Sequence, residues 1–245
     1  DSSSAAVDLT ISGNITAPAS GNGIGLTLTG TGVTTVSGSI TLTASGDNSG
    51  ADIAKTGTGT LNLNGIANTI DDFNHTDGTV NVNNVLTVGD DYVADNAGVI
   101  ANFNVTGALP GTASASNGLY GRSGATINLN ATDVLGSLMD FIILGDDNQG
   151  IGNLFLAIGT SNTTPSLQLG LNSSGEIGNV TGPGTLNVNT TLTLNNGLVS
   201  ANLNGAAAAT KDNNLTVTLS GNNSLTGTTL NREGTLVLDF TTNAG

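Results

Sequence analysis

The sequence predicts an all-β protein, a parallel β-solenoid, from the pattern of its short segments and from its composition. Apolar residues alternate with Asn or Thr in residues 60–64 (TLNLN) and again in residues 79–83 (TVNVN). This alternation is typical of a strand with one buried face. Glycines introduce such segments, and Gly38, Gly59, Gly78 and Gly98 follow one another at nearly equal intervals. Their period matches one solenoid coil of roughly 20 residues, and outward Thr and Asn can then form ladders along the stack.

The composition predicts a core made of stacked aliphatic side chains. The chain has no Trp, two Tyr and five Phe, while Leu, Ile, Val and Phe together make up about a quarter of it. That share is above the level of about 20 % below which chains are typically disordered. Stacked coils can use small aliphatic residues, whereas a globular sandwich usually needs aromatic residues to fill its centre. The alternative fold is a β-sandwich-type subunit with strand exchange.

The charge excludes some classes of partner. Four Lys and Arg against 18 Asp and Glu give a net charge of −14, so no basic surface for nucleic acid can form. Attraction to anionic lipid is disfavoured for the same reason. No apolar run approaches the roughly 20 residues of a membrane-spanning helix, and the absence of Cys excludes disulfides and thiolate metal sites.

The chain is expected to form a single continuous domain over residues 1–245. Residues 1–20 have a polar start and then an alternating strand, which either caps this chain or pairs with the sheet edge of a neighbouring subunit. The repeats continue over residues 25–104, and the Gly- and Ser-rich residues 105–123 are expected to be a loop insertion. Residues 133–144 are expected to be a strand pair or a short helix, and residues 206–213 a helical turn or a loop.

Two phrases resemble a known repeat. Residues 219–238 (LSGNNSLTGTTLNREGTLVL) begin with Leu-Ser-Gly-x-Asn, have a central Gly-x-Thr and close with Gly-Thr-Leu, and residues 55–65 (KTGTGTLNLNG) match one half of the same pattern. This resembles the autotransporter-associated β-strand repeat. The resemblance implies a right-handed β-helix of the kind found in passenger domains of bacterial surface proteins.

Carboxylates are the candidate ligands and catalysts. Three Asp pairs occur at positions 71–72, 90–91 and 146–147, and the last two share the context Gly-Asp-Asp. Asp90, Asp91, Asp146 and Asp147 are therefore expected to form turns, in which Asp bonds its own backbone, and the alternative is that these four residues are calcium ligands. Catalysis on a polysaccharide would need a basic partner and aromatic platforms, which are scarce, and the single His75 is expected at a surface turn.

The expected function is that of a non-enzymatic, extracellular structural protein of a bacterial cell surface. Because a solenoid has open ends, such a protein must cap them or polymerise, and copies of itself are the expected partners in a fibre or surface layer. The start at Asp1 instead of Met favours removal of a leader. The alternative is a passenger-like adhesin that binds a host or matrix glycan or protein through residues 105–123 or through the exposed Asn and Thr face. A polysaccharide-active enzyme is the third reading. No cofactor other than calcium is expected.

Overall fold

The computed structural model describes residues 7–17, 25–42, 52–112, 117–146, 150–171 and 175–241. Within these ranges the chain forms parallel strands stacked into a β-solenoid, and it forms no helix. The prediction of an all-β solenoid is confirmed. The alternative of a β-sandwich-type subunit is wrong, because such sandwiches pair antiparallel strands and successive coils here pair in parallel.

The strands are, in chain order, β1 Leu9–Ile11, β2 Ile15–Thr16, β3 Leu26–Leu28, β4 Val33–Val36, β5 Ile40–Thr41, β6 Ile53–Lys55, β7 Thr60–Leu63, β8 Asn68–Ile70, β9 Phe73–His75, β10 Thr79–Val82, β11 Leu86–Val88, β12 Asp91–Asp95, β13 Ile100–Phe103, β14 Leu109–Gly111, β15 Gly118–Arg122, β16 Thr126–Leu129, β17 Leu135–Leu138, β18 Phe141–Leu144, β19 Ile151–Leu156, β20 Ser161–Leu169, β21 Ile177–Thr181, β22 Thr185–Leu194, β23 Gly197–Val199, β24 Asn202–Gly205, β25 Ala208–Leu219, β26 Ser224–Leu225 and β27 Thr229–Leu238.

The strands stack in three ladders. Ladder 1 consists of β1, β4, β7, β10, β13, β16, β19, β21, β23 and the C-terminal parts of β25 and β27. Ladder 2 follows β2, β5, β8, β11, β14, β17, the N-terminal parts of β20 and β22, β24 and β26. Ladder 3 follows β3, β6, β9, β12, β15, β18, the C-terminal parts of β20 and β22, and the N-terminal parts of β25 and β27.

The core is a stack of equivalent side chains. In ladder 1, Leu61, Val80, Ala101, Ile127 and Leu154 lie level with one another in successive coils, and all are fully buried. Burying a Leu or Val side chain contributes about 1.5–3 kcal/mol. The register places each inward side chain directly on the inward side chain of the next coil. The aliphatic core predicted from composition is confirmed.

The Asn residues that face outward from ladder 1 form the predicted polar ladders. In each row the side-chain Nδ2 donates to the Oδ1 of the Asn one coil earlier, at 2.8 Å in the first row and 2.7–2.8 Å in the second. The first row is Asn62, Asn81, Asn102 and Asn128, and the second is Asn64, Asn83, Asn104 and Asn130. These amide chains tie four coils together without any disulfide.

Coil length is less regular than the spacing of the glycines suggests. Successive Asn residues of the first row are separated by 19, 21 and then 26 positions in the sequence, although each is level with the next. Gly59 lies directly over Gly32, where a Cβ at position 59 would come within 2.1 Å of the Gly32 carbonyl oxygen. Gly38 precedes β5 of ladder 2 and is therefore not equivalent to Gly59.

Two local predictions need correction, and a third is confirmed in one of its two forms. Residues 105–123, expected as a loop insertion, include β14 and β15, which belong to ladders 2 and 3. Residues 206–213, expected as a helical turn or a loop, contain the start of the long strand β25. Of the two structures expected over residues 133–144, the strand pair is present, as β17 and β18. In each case the stacking of coils imposes strand structure on a segment whose own sequence is permissive.

Candidate functional site: an acidic corner and two open ends

Five carboxylates lie close together at the corner where the chain passes from the strands of ladder 2 to the strands of ladder 3. This acidic corner consists of Asp52, Asp71, Asp72, Asp90 and Asp91. One oxygen from each of Asp52, Asp71 and Asp72 lies within 4.8 Å of the others, and the same holds for Asp72, Asp90 and Asp91. Asp72 belongs to both groups, so the five side chains form one continuous patch.

The register of the coils builds this patch. Ile70 is level with Val88 before the corner, and Phe73 is level with Tyr92 after it, so the Asp pairs between them lie one above the other. The amide N–H of Asp91 donates to Asp72 Oδ1 at 3.0 Å, and the N–H of Gly118 in the next coil donates to Asp91 Oδ1, also at 3.0 Å. Each of these two carboxylates is therefore oriented by the coil that follows it.

Burial and repulsion by neighbouring carboxylates disfavour the charged form of four of these carboxylates. Burial raises the pKa of Asp52, Asp71 and Asp90, and neighbouring carboxylates raise each of them further. The pKa of Asp91 is raised to about 6, first by burial and then by Asp90 and Asp72, against the lowering effect of the Gly118 N–H. At neutral pH the corner therefore concentrates negative charge at a cost to the folded state.

The acidic corner contains the ligand type that calcium prefers. Calcium binds six to eight oxygen ligands, with carboxylates prominent among them. Asp72, Asp90 and Asp91 can each offer an oxygen to one cation, and Asp52 and Asp71 can do so with Asp72 one coil earlier. Calcium binding by Asp90 and Asp91 remains a prediction.

The structure separates Asp146 from the other predicted ligands. Asp90 and Asp91 lie at the N-terminal end of the ladder 3 strand β12, whereas Asp146 follows the C-terminal end of the ladder 3 strand β18. Asp146 forms an ion pair with Arg122 at 2.8 Å, and the Arg122 guanidinium lies 4.6 Å from the centre of the Tyr120 ring. Asp147 lies outside the described residues.

Two carboxylate positions were missed by the sequence reasoning. Asp52 joins the acidic corner, and the available signal was that Asp52 precedes Asp72 by one period of the repeat. Glu176 is only 2 % exposed, and neither of its carboxylate oxygens accepts a hydrogen bond within the part of the chain that the structure describes. No repeat or motif in the sequence marks Glu176.

The prediction that His75 lies at a surface turn is wrong. His75 is fully buried because it ends β9 at an inward position of ladder 3. Its Nδ1 lies 3.2 Å from the Tyr92 hydroxyl and its Nε2 lies 3.0 Å from the Gly78 carbonyl oxygen. Burial lowers the pKa of His75 to about 4. The single histidine and Tyr92, which is also fully buried, are therefore core residues that cannot meet a polysaccharide.

Both ends of the solenoid expose apolar side chains. At the N-terminal end Val7 is 80 % and Leu9 is 51 % exposed, and at the C-terminal end Leu238 is 54 % and Phe240 is 75 % exposed. Within the described ranges, β1 pairs only with β4, and β27 pairs only with β25. Among the described residues, one edge of each end strand therefore has no strand partner, and such an edge is a template for pairing with another strand.

Comparisons with protein families, with curated proteins and with solved structures found no match. None of the described residues forms a helix that is long and apolar enough to cross a membrane.

Proposed function

We propose that this chain is a non-enzymatic, extracellular structural protein of a bacterial cell surface, which stacks head to tail with copies of itself into a fibre or layer. The observation that carries this proposal is the chemistry of the two open ends. Leu9 and Leu238 occupy the same inward column of ladder 1, which runs from coil to coil through Leu61 and Leu219. A second copy placed on β27 would continue that column with its own Leu9.

Head-to-tail stacking would bury the apolar surface that each end exposes. Burial of each Leu would contribute about 1.5–3 kcal/mol, and new strand pairing would satisfy backbone groups along the joint. A heterologous joint of this kind leaves one free end on every subunit, so it generates an open polymer. A fibre is therefore the assembly that this geometry favours.

Further support comes from the resemblance to autotransporter-associated β-strand repeats and from the scarcity of basic and aromatic residues in the chain. The location at a bacterial surface rests on that resemblance and on the composition. The non-enzymatic assignment is supported by the burial of His75 and Tyr92, which leaves the acidic corner without a neighbouring histidine.

Complementary end variants test the proposal. Leu9→Asp and Leu238→Asp should each abolish the concentration-dependent polymers of the wild type in sedimentation velocity and negative-stain microscopy, because a buried carboxylate at the joint is costly. Each variant still has one intact end. An equimolar mixture should therefore form a dimer that grows no further, in which Leu238 of the Leu9→Asp chain meets Leu9 of the Leu238→Asp chain.

The control is Ile66→Asp, since Ile66 is 79 % exposed but lies at a mid-stack corner away from either end. This variant should polymerise like the wild type. A wild type that stays monomeric at high concentration contradicts the proposal. Dimers formed by either end variant alone would contradict the head-to-tail geometry, because they require two identical ends to meet.

A further inference from the structure

Two surface grooves flank the same corner in the C-terminal half of the solenoid. The larger, about 460 Å³, lies on the ladder 2 side and includes Pro165 and Thr190. The smaller, about 210 Å³, lies on the ladder 3 side and includes Ser166 and Thr191. Because Pro165 is bonded to Ser166 and Thr190 to Thr191, the two grooves lie side by side across this corner. We call the combined feature the corner groove.

The larger part of the corner groove opens where ladder 2 is interrupted. The register between β14 and β17 shifts, and no strand pairing joins β17 to β20 in the described part of the chain. The buried Asn162 side chain substitutes for that pairing, since its Oδ1 accepts from the Val134 N–H at 2.8 Å and its Nδ2 donates to the Ala131 carbonyl oxygen at 3.0 Å. Gly136 adds no side chain here, and a Cβ at that position would lie 2.5 Å from Pro110 Cα.

The smaller part is formed by a step in side-chain size on the outer face of ladder 3. Phe141, Ser166 and Thr191 are level with one another in successive coils, so a large ring stands beside two short side chains. The ring is held in place by an edge-to-face contact with Tyr120, with ring centroids 5.5 Å apart. It also packs over Gly118, where a Cβ would come within 2.4 Å of Phe141 Cε2. Phe141 is thus a fixed aromatic wall beside the short side chains of Ser166 and Thr191.

The chemistry of the lining points to one class of ligand. Hydroxyl and amide side chains line the groove together with the apolar side chains of Leu135 and Ile143; the polar ones include Ser137, Thr163, Asn189 and Gln168. Among the described residues that line it, Asp133 is the only charged one. A net charge of −14 repels anionic ligands. Sugar rings have hydroxyl groups and an apolar C–H face, so they match an aromatic wall with neutral hydrogen-bonding groups around it.

We propose that the corner groove binds a neutral oligosaccharide, with one sugar ring packed against Phe141 and the chain crossing the corner at Pro165 and Thr190. The volume of the larger part falls within the range of about 300–1,000 Å³ that is usual for small-molecule sites. This binding is independent of the stacking of the solenoid ends, because the groove lies on the side of the coils.

Calorimetric titration of the full chain with maltohexaose, cellohexaose and hexa-N-acetylchitohexaose tests the proposal, with hexagalacturonate as the acidic comparison. At least one neutral hexasaccharide should bind. Phe141→Ser should weaken that binding about tenfold, the usual scale of an aromatic packing contact. Thr190→Arg should abolish it by filling the corner, and Thr190 is exposed, so this variant should keep its fold.

The matched control is Phe155→Ser, because Phe155 is an outward phenylalanine of ladder 1 that is 38 % exposed. It should bind like the wild type, and circular dichroism should show β structure in all variants. The proposal is overturned if no neutral hexasaccharide binds, if hexagalacturonate binds more tightly, or if binding survives both Phe141→Ser and Thr190→Arg. Polymerisation should be unchanged in these variants, so failure of this proposal and failure of end-to-end assembly give different results.

Discussion

Replacing Asp91 by Asn should stabilise the protein at pH 7 and leave it unchanged at pH 4. Burial, Asp90 and Asp72 raise the pKa of Asp91 to about 6. Near pH 7 the folded protein must therefore hold a carboxylate charge that the unfolded chain accommodates freely. Asn has the same shape and keeps the Oδ1 acceptor for the Gly118 N–H, so the substitution removes the charge with little other change.

The size of the effect follows from the pKa. A rise from 3.8 to about 6 corresponds to roughly 3 kcal/mol at 1.36 kcal/mol for each pKa unit. Asp91 is only partly buried, and screening by solvent reduces this to about 1 kcal/mol. Because the folded state binds the proton more tightly than the unfolded state, the wild type loses this stability as the pH rises from about 4 to about 6. The gain of the variant should appear over the same window.

Urea unfolding at several pH values between about 4 and 7, in the presence of a chelator, measures the effect. Because a solenoid can unfold in steps, hydrogen exchange of the Gly118 amide should be followed in parallel as a local measure. Asp95→Asn, on the same strand but outside the acidic corner, is the control and should show no pH-dependent gain. Equal effects of Asp91→Asn at both ends of the pH range, or destabilisation at pH 7, would refute the reasoning.

Calcium provides a second arm of the same experiment. If the acidic corner binds calcium, millimolar calcium should raise the unfolding midpoint of the wild type at pH 7 but not at pH 4, where protons compete for the carboxylates. Asp72→Asn should remove most of this increase, since Asp72 belongs to both carboxylate groups. If calcium changes nothing at pH 7, the calcium prediction is wrong, whereas the pH prediction for Asp91 is unaffected.

Two further predictions concern the polar ladder and the buried histidine. Asn102→Ala removes amide hydrogen bonds to both Asn81 and Asn128, so it should lower the free energy of unfolding in urea by about 1–2 kcal/mol. Asn128→Ala removes only the bond to Asn102 and should cost about half as much. Equal losses in the two variants would contradict the ladder. The His75 ring should show no protonation by NMR between about pH 5 and 8, because burial lowers its pKa to about 4. The free energy of unfolding that depends on neutral His75 should decline as the pH falls from 6.5 towards 4. Titration of His75 near pH 6.5 would contradict its burial.

The sequence was informative about the coil and less informative about its corners. Alternation over residues 60–64 and 79–83 correctly placed Leu61 and Val80 inside and Asn62 and Asn81 outside, because strand periodicity alone decides which face a residue occupies. His75 was misplaced because it also follows this alternation, two residues after Phe73, yet polar residues are expected outside. Its position is stabilised by tertiary contacts with Tyr92 and Gly78, which no local pattern records.

The sequence predicted only part of the candidate site. Asp90 and Asp91 were selected from the Gly-Asp-Asp context, which occurs again at Asp146, yet the two copies lie at different corners. Local sequence identifies a turn, whereas the position of that turn depends on how many residues each coil contains. The coil that links Asn102 to Asn128 is longer than the coil that links Asn62 to Asn81, so equivalence cannot be counted along the chain. The corner groove arises from one such irregularity, the break of ladder 2 near Asn162.

The same stacking geometry has opposite consequences for Asn and for Asp. Neighbouring strands lie about 4.7–4.9 Å apart, so identical outward side chains are brought within reach of one another in every coil. For Asn this creates amide chains at 2.8 Å, and each bond contributes about 1 kcal/mol. For Asp it brings like charges within 4.8 Å and, together with burial, raises the pKa values of Asp52, Asp71, Asp90 and Asp91. This column of carboxylates is therefore an outward row whose charge opposes the fold at neutral pH, and a bound divalent cation is the simplest partner that would make its contribution to folding favourable.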